Sequence, residues 1–466
     1  LALAKAANQL SILPGTLMPM SGSTLRTDDR LWAWWTHAAT APDQLRQRIA
    51  FALSEILVVS DRSGALRNYP SGVANYYDLL VKHSNGNYRN LLEEVTLNPV
   101  MGIWLTMVRS SKERPDENYA REVMQLFSIG LEHLNRDGTF KRDGTGNAIP
   151  TYTQAEINEL ARAFTGWTFA GSGSFTWTTQ TDTIHPLVSF EAQHDRGRKV
   201  ILGGATLSAG QAAPQDISRS LDVIFAHPNV GPFVCKLLIQ RLVKSNPSPA
   251  YVYRVVSKFE NNGRGVRGDL GATVKAILLD PEARNPSSAP GDGKLSEPVV
   301  RLTRLLRALA APPSSNPPVM GRYLVANPLD EFSQSPLQAP TVFNFFLPDY
   351  APPGLIPSAG LVAPEFQITT ELTAVDTANF FFDSVASGVR SSSGPRLALD
   401  LSSLEGAWTQ PDALYARLEK LLLCRPMSAQ LRSALDKVRA ANATGAEGVR
   451  ALLQVLLSTP EFTVDR

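Results

Sequence analysis

The chain has 466 residues, and 45 Lys and Arg against 43 Asp and Glu leave a net charge of +2. A length about three times that of a typical domain allows two or three domains or one large body. The composition, 43% hydrophobic and 19% charged, excludes a disordered or fibrous chain, and the near-neutral balance argues against a nucleic-acid binder with its basic stripe. The longest apolar runs, 56–59 and 451–457, fall far short of the roughly 18 residues of a membrane helix, so no transmembrane segment is expected. Two cysteines, Cys235 and Cys424, lie in apolar helical patterns. They exclude a disulfide framework or Cys-rich metal site and read as core thiols or one buried disulfide.

Helical periodicity dominates. Over 43–60 it puts Leu45, Ile49, Leu53, Ile56 and Leu57 on one stripe. Similar patterns predict helices over 75–83, 88–97, 116–129, 153–164, 215–225, 230–245, 250–260, 270–279 and 297–310, with Gly or Pro beyond many ends. Between 165 and 207, FTWTTQTDTIHPLVSF and RKVILGG alternate apolar with polar residues and predict one or two small hairpins. Pro-rich phrases make 311–360 irregular, and 387–395 is a Ser/Gly loop. Helices over 411–424, 428–441 and 446–458 follow.

The fold class expected is therefore mainly α, a helical body with a small antiparallel β excursion and a C-terminal helical cluster. The expected divisions are an N-terminal helical region 1–164, the excursion 165–207, a helical region 208–310 completing the main body, a Pro/Gly-rich region 311–395 and the cluster 396–466. Recurrent helix-ending phrases such as LLDPEAR and LLSTPEF are ordinary stop chemistry rather than repeats.

The block RPDENYAREVMQLFSIGLEHLNRDGT, 114–139, carries the densest chemistry. Tyr119 and Leu126 share a helix face with Glu122, which should be partly buried. A buried carboxylate needs a partner or takes a raised pKa, so Glu122 is a candidate acid or base, or a metal ligand; the competing reading ties helices together through it. His194 and Asp195 flank a turn and should project from a loop, as an acid/base pair, as two metal ligands, or as an Asx turn with His194 packed on an aromatic. Asp137, Asp143, Asn135 and Asn147 offer oxygens to calcium, although two Asp-Gly turns of a hairpin account for them and the EF-hand spacing is absent. No metal-ligand His spacing, nucleotide glycine loop or nucleophile elbow is present. Aromatics cluster at Trp167, Phe169, Phe175 and Trp177, and again at Phe343, Phe345, Phe346 and Tyr350, as mini-cores or as platforms for sugars or peptides.

That block, with LRQRIAFALSEILVVSD (45–61), LLEEVTLNPVMGIWL (91–105), PTYTQAEINELARAFTGWTF (150–169), HDRGRKVILG (194–203), VRGDLGATVKAILLDPEAR (266–284), GKLSEPVVRL (293–302) and SPLQAPTVFNFFLPDYAPPG (335–354), resembles the bacterial family catalogued as "domain of unknown function 1800" over nearly the whole chain. The resemblance implies an exported protein whose encoded chain begins upstream of Leu1 with a signal sequence, and a secreted sulfatase-like partner. It puts weight on Glu117, Asn118, Arg121 and Glu122, on Thr165, Gly166 and Trp167, and on His194, Asp195 and Lys199. One departure is Asn98, where relatives resemble L-H-P-x-M; Asn accepts a hydrogen bond but shuttles no proton.

The function expected is a hydrolase-like enzyme outside the cytoplasm, acting on a polysaccharide or other envelope polymer. Glu122 would be the buried acid/base, His194 and Asp195 a second proton-handling pair, and Arg121 or Lys199 the anion-stabilising group. Glu117, Asn118 and Trp167 would contact substrate, with no metal or other cofactor beyond calcium at Asp137 and Asp143. The alternative is a non-catalytic extracellular assembly protein that self-associates or binds a secreted partner.

Overall fold

The computed structural model describes residues 26–466 apart from 63, 176–180, 286, 288, 290, 311–324, 393–394 and 443. Trp177 and the phrase PPSSNPP lie outside the described residues.

The protein is mainly α. In order come α1 (Thr27–Thr40), α2 (Gln44–Ser54), α3 (Pro70–His83), α4 (Tyr88–Thr96), α5 (Pro99–Trp104), α6 (Asn118–Gln125) and α7 (Gln154–Ala163). After the β segment follow α8 (Ala213–Ala226), α9 (Val230–Leu242), α10 (Pro249–Glu260), α11 (Leu270–Leu279) and α12 (Pro298–Leu309). Last come α13 (Glu371–Ser387), α14 (Pro411–Leu418), α15 (Ala429–Ala441) and α16 (Gly445–Leu457). No described helix is long and apolar enough to cross a membrane.

Local chemistry sets most boundaries. Thr153 and Glu156 form a reciprocal capping box at α7, and Asn98 caps α5 by accepting from Val100 N at 2.9 Å. Several helices are shorter than their periodicity predicts. α2 stops at Ser54, whose hydroxyl bonds back to Phe51 O, and the apolar stretch beyond it runs on buried but non-helical; Leu45, expected on the apolar stripe, is exposed. α6 ends at Gln125, where the Ser128 hydroxyl takes the Val123 carbonyl and the chain winds wide to Gly130 at φ +71°. Likewise α14 ends at Leu418 and widens to Cys424 at φ +56°, so Cys424 is an exposed free thiol rather than a core one, while Cys235 is buried and free.

Two hairpins occupy the predicted excursion. β1 (Trp167–Thr168) pairs antiparallel with β2 (Val188–Ser189), and β3 (Lys199–Ile201) with β4 (Ala205–Leu207). A third pair joins β5 (Lys294–Leu295) to β6 (Val464–Asp465), tying the last residues back to the entry of α12. One apolar cluster runs through the helices from Leu31 to Phe462, with Trp34 against Trp35 and Phe51 near its start. A smaller cluster of Val58, Ala339, Phe345, Phe346 and Ile368 lies under the irregular zone.

Gly293 makes the β5–β6 closure possible. It sits at φ +87°, and a Cβ there would stand 2.3 Å from the Asp465 carbonyl oxygen. Gly293→Ala therefore adds a left-handed strain to a backbone clash, and should cost about 2–4 kcal/mol. Urea denaturation measures it; an unchanged midpoint would show that the pairing bears no load.

Candidate functional site

Three polar clusters penetrate the fold. The first lies on α6. Arg121 donates to Glu117 (2.9 Å) and to Gln154 of α7 (3.2 Å), and Gln154 also donates to Glu117 (2.8 Å). Asn118 reaches Thr106 at 3.4 Å, and its backbone amide is taken by Asp116. Glu122 is buried on the other side of the helix, its Oε2 without a hydrogen-bond partner. Burial raises its pKa, and Arg121 alongside offsets only part of that rise. Tyr152 is near it, with a partnerless hydroxyl pushed up to about 12 by burial and by the Glu122 charge.

The second cluster gathers His194, Asp195 and Lys199 with two residues that sequence reasoning missed, Asp216 of α8 and Arg162 of α7. His194 is buried, not projecting from a loop. Gly166, at φ +88°, has no Cβ to fend off the His194 backbone, which a side chain there would meet at 2.9 Å. Its Nδ1 faces Thr165 O at 3.0 Å and its Nε2 faces Asp216 Oδ2 at 3.1 Å. Lys199, fully buried, donates to Asp216 (2.7 Å), to Gly197 O (3.1 Å) and to Asp195 O, which uses all three ammonium hydrogens. Asp195 accepts from Arg162 at 2.7 and 3.2 Å and from Gly197 N at 2.8 Å, an Asx turn; against the upward push of burial, these partners hold its pKa low. α7 packs against α6 on one side and β3 on the other. The hydrogen bonds of the first two clusters share no residue. Trp167 is a buried strand residue whose carbonyl accepts from Arg109 N.

The third cluster is the most deeply charged. Glu55 caps the C-terminus of α2 and Glu297 the N-terminus of α12, with Pro298 at the first helical position. Both are buried. Lys294 donates to Glu297 (3.4 Å) and to the Gln240 and Arg241 carbonyls that end α9 (3.1 and 3.0 Å), and pairs with Glu365 (3.1 Å). Arg48 also donates to Arg241 O at 2.6 Å and stands 3.5 Å from Glu297, while Gln334 donates to Glu297 at 2.7 Å. Asn344 Nδ2 lies 3.4 Å from Glu55 Oε1. The two glutamates act on each other's titration and shift in opposite directions. Burial and the Glu297 charge push Glu55 well up; for Glu297, Lys294 and then Arg48 outweigh burial and hold it well down. Opposite helix ends reinforce the split, since a C-terminus repels a carboxylate and an N-terminus attracts one. Asn344 and Phe346 also line a cleft of about 250 Å³ with Thr341, Phe343 and Gln367.

The family described as "Protein of unknown function (DUF1800)" matches residues 6–464. The chain belongs to this family. No curated protein and no solved structure matches it. The segments that carry the resemblance are the ones that build the clusters: 45–61 brings Arg48 and Glu55, 293–302 brings Lys294 and Glu297, and 335–354 brings Asn344 and Phe346. A signal for Glu55 was available, since it is the single charge in the apolar run 49–59.

Asp137, half-buried, and Asp143, exposed, lie on separate turns, each spent on its own: Asp137 accepts from Thr139, and Asp143 from Thr145 and Asn147. Among the described residues, no three His, Cys, Asp or Glu side chains gather as a metal ion would need.

Two predictions separate structural from strained groups. Asp216→Ala leaves Lys199 buried without its counter-ion and should cost about 3–5 kcal/mol, a loss that Asp216→Leu with Lys199→Met should largely recover; chemical denaturation checks both. Glu122 has a raised native pKa, so its stabilising protonated form persists at low pH and is lost as pH rises above the ordinary carboxylate range. Glu122→Gln should match the parent near pH 4 and exceed it in melting temperature near pH 7. A variant less stable at both would show that the ionised carboxylate has an unseen partner.

Proposed function

We propose that the protein is a hydrolase-like acid/base enzyme whose reacting groups are Glu55 and Glu297, working at the cleft walled by Asn344 and Phe346. The observation that carries the reading is the pair itself: two buried carboxyls in one charge cluster, Glu55 pushed up by burial and the Glu297 charge, Glu297 held down by Lys294 and Arg48 against its own burial. In the proposed step Glu297 takes a proton from a water molecule as that water attacks the scissile bond. Glu55 gives its proton to the departing atom, so water is added across the bond and the pair ends with its proton exchanged. Asn344, in the left-handed region at φ +67°, releases Glu55 as substrate enters.

The acid/base roles rest here rather than on Glu122, His194 and Lys199. His194 and Lys199 are consumed by their own partners, and Glu122 has no second carboxyl opposed to it. Phe343, half exposed, beside Asn344 and Gln367 supplies the aromatic face and amides that suit a sugar ring, which supports a polysaccharide or related envelope polymer as substrate. Action outside the cytoplasm follows from the family resemblance alone. The second reading is an assembly protein that self-associates or binds a secreted sulfatase-like partner; it draws support from the outer face of α13, where Leu372, Val375 and Phe382 are exposed.

Glu55→Gln decides between them. Glu55 is already neutral in the fold, so Gln keeps its shape and charge but has no proton to give. Hydrolysis, measured as reducing ends released from a panel of polysaccharides, should fall by about 10²–10⁴-fold with the unfolding midpoint unchanged. The parent's rate should follow a bell in pH, rising as Glu297 ionises and falling as Glu55 loses its proton. A variant with full activity, or a parent that cleaves nothing, removes the enzyme reading.

A further inference from the structure

Arg241, in the last turn of α9, is buried with a side chain 3% exposed. Its Nε and Nη1 have no hydrogen-bond partner; the nearest carboxylate oxygen, Glu55 Oε2, is 3.9 Å from Nε. A guanidinium carries five donors and cannot shed its charge, so leaving three of them, one on Nε and two on Nη1, unmet in the interior is costly. Arg48 beside it also has a buried Nη1 without a partner. The surroundings do not neutralise them. Arg48, Arg241 and Lys294 face Glu297 and Glu365, and the remaining carboxyl, Glu55, is pushed up toward its neutral form by burial and the Glu297 charge and stands no nearer Arg241 than 3.9 Å.

Position links this unmet charge to the cleft. The Arg241 guanidinium sits over the Phe346 ring, 4.4 Å from its centroid, and Phe346 and Asn344 both line the cleft. The ring orients the planar cation by stacking but offers no acceptor for its in-plane N–H groups. An acceptor of matching geometry is a carboxylate, which takes two parallel N–H bonds from one guanidinium.

We propose that the ligand of this cleft is an anionic sugar, a uronic-acid residue of an acidic polysaccharide, whose carboxylate pairs with the free edge of Arg241. The inference rests on the proposed cleft and deepens it by naming the substrate class. Asn344 and Phe346 shift as the carboxylate enters, and the incoming charge neutralises the excess cation of the cluster.

The test is calorimetric titration of the full chain with tetragalacturonate and, as a neutral control of equal length, maltotetraose. The acidic oligomer should bind, the neutral one at least about tenfold more weakly, and binding should weaken with salt, as a charge-assisted pair requires. Arg241→Gln should weaken tetragalacturonate binding by at least about tenfold and Arg241→Lys should recover part of it, since Lys restores the charge but not the fork. Circular dichroism reports whether these variants fold. If they do not, the acidic preference and salt dependence of the parent still decide. Equal binding of both oligomers, no binding of either, or folded Arg241 variants that bind as the parent does would overturn the proposal. Arg241-dependent binding without cleavage would keep the anion site and remove the hydrolase reading; cleavage of a neutral glucan that survives Arg241→Gln would do the reverse.

Discussion

The Glu297 carboxylate, buried with no exposed side-chain surface, is the constraint around which the rest is arranged. An ion taken out of water loses several kcal/mol of hydration, so a fold that keeps it must bring donors from wherever the chain can supply them. Here they come from α2 through Arg48, from β5 through Lys294, and from the irregular zone through Gln334. The same cations close the C-terminus of α9, whose last carbonyls would otherwise face the interior unpaired. One buried charge thus fixes the meeting of four segments far apart in sequence, and β6 pairs on the strand that delivers Lys294.

Charge in the interior does two kinds of work in this molecule, and hydrogen-bond satisfaction tells them apart. Around His194 every donor has an acceptor: the ring nitrogens, the three Lys199 hydrogens and the Arg162 fork are all spent within the cluster. Such a set locks α7, α8 and the β3–β4 hairpin together with its donors spent, although the Asp216 Oδ1 acceptor is buried without a hydrogen-bond partner. Around Glu55 the account is open. Glu55 Oε2, Arg241 Nε and Nη1 and Arg48 Nη1 are buried without hydrogen-bond partners, and burial with the Glu297 charge pushes the Glu55 carboxyl up. A fold retains unsatisfied groups of that kind where something else completes them.

Much of the fold was legible in the sequence because helical periodicity reports a single buried face. α10, α11, α15 and α16 fall within a residue or two of their patterns. The two long helices that periodicity missed, α1 and α13, are apolar on more than one face. α1 buries Trp32, Trp34 and Trp35 together with Ala33, so no stripe stands out, and α13 carries Leu372, Val375 and Phe382 on its outer side. The site was legible in part. The 114–139 block and the His194 turn drew notice as dense polar phrases, whereas Glu55, Arg241 and Lys294 are isolated charges in apolar surroundings, and their meeting depends on segments up to about 240 residues apart. Periodicity carries no information at that range. The aromatic run at Phe343, Phe345 and Phe346 was visible, but not that Phe346 carries the Arg241 guanidinium on its ring.

The irregular zone shows how a segment without regular structure holds reactive geometry. Between 327 and 344 four residues other than glycine, Asn327, Ser333, Leu337 and Asn344, adopt the left-handed conformation, which costs an ordinary L-residue roughly 1–2 kcal/mol. Leu337, with no polar side chain to ease it, is held from outside: Asp61 N donates to its carbonyl, Arg30 to the Pro336 carbonyl, and Gln338 to Asp61 Oδ1. Arg30 and Asp61 are themselves a buried ion pair at 2.8 Å. The pair acts as a clamp that over-determines the loop, and the strain is tolerated because releasing it would expose that pair to an apolar interior. Asn344 lies seven residues beyond the clamped turn and is held by its amide to the Thr341 carbonyl (3.3 Å) and its side chain to Glu55 (3.4 Å). The ion pair thus fixes the root of the loop, and from there the chain carries Asn344 to the place where it meets both the cleft and Glu55.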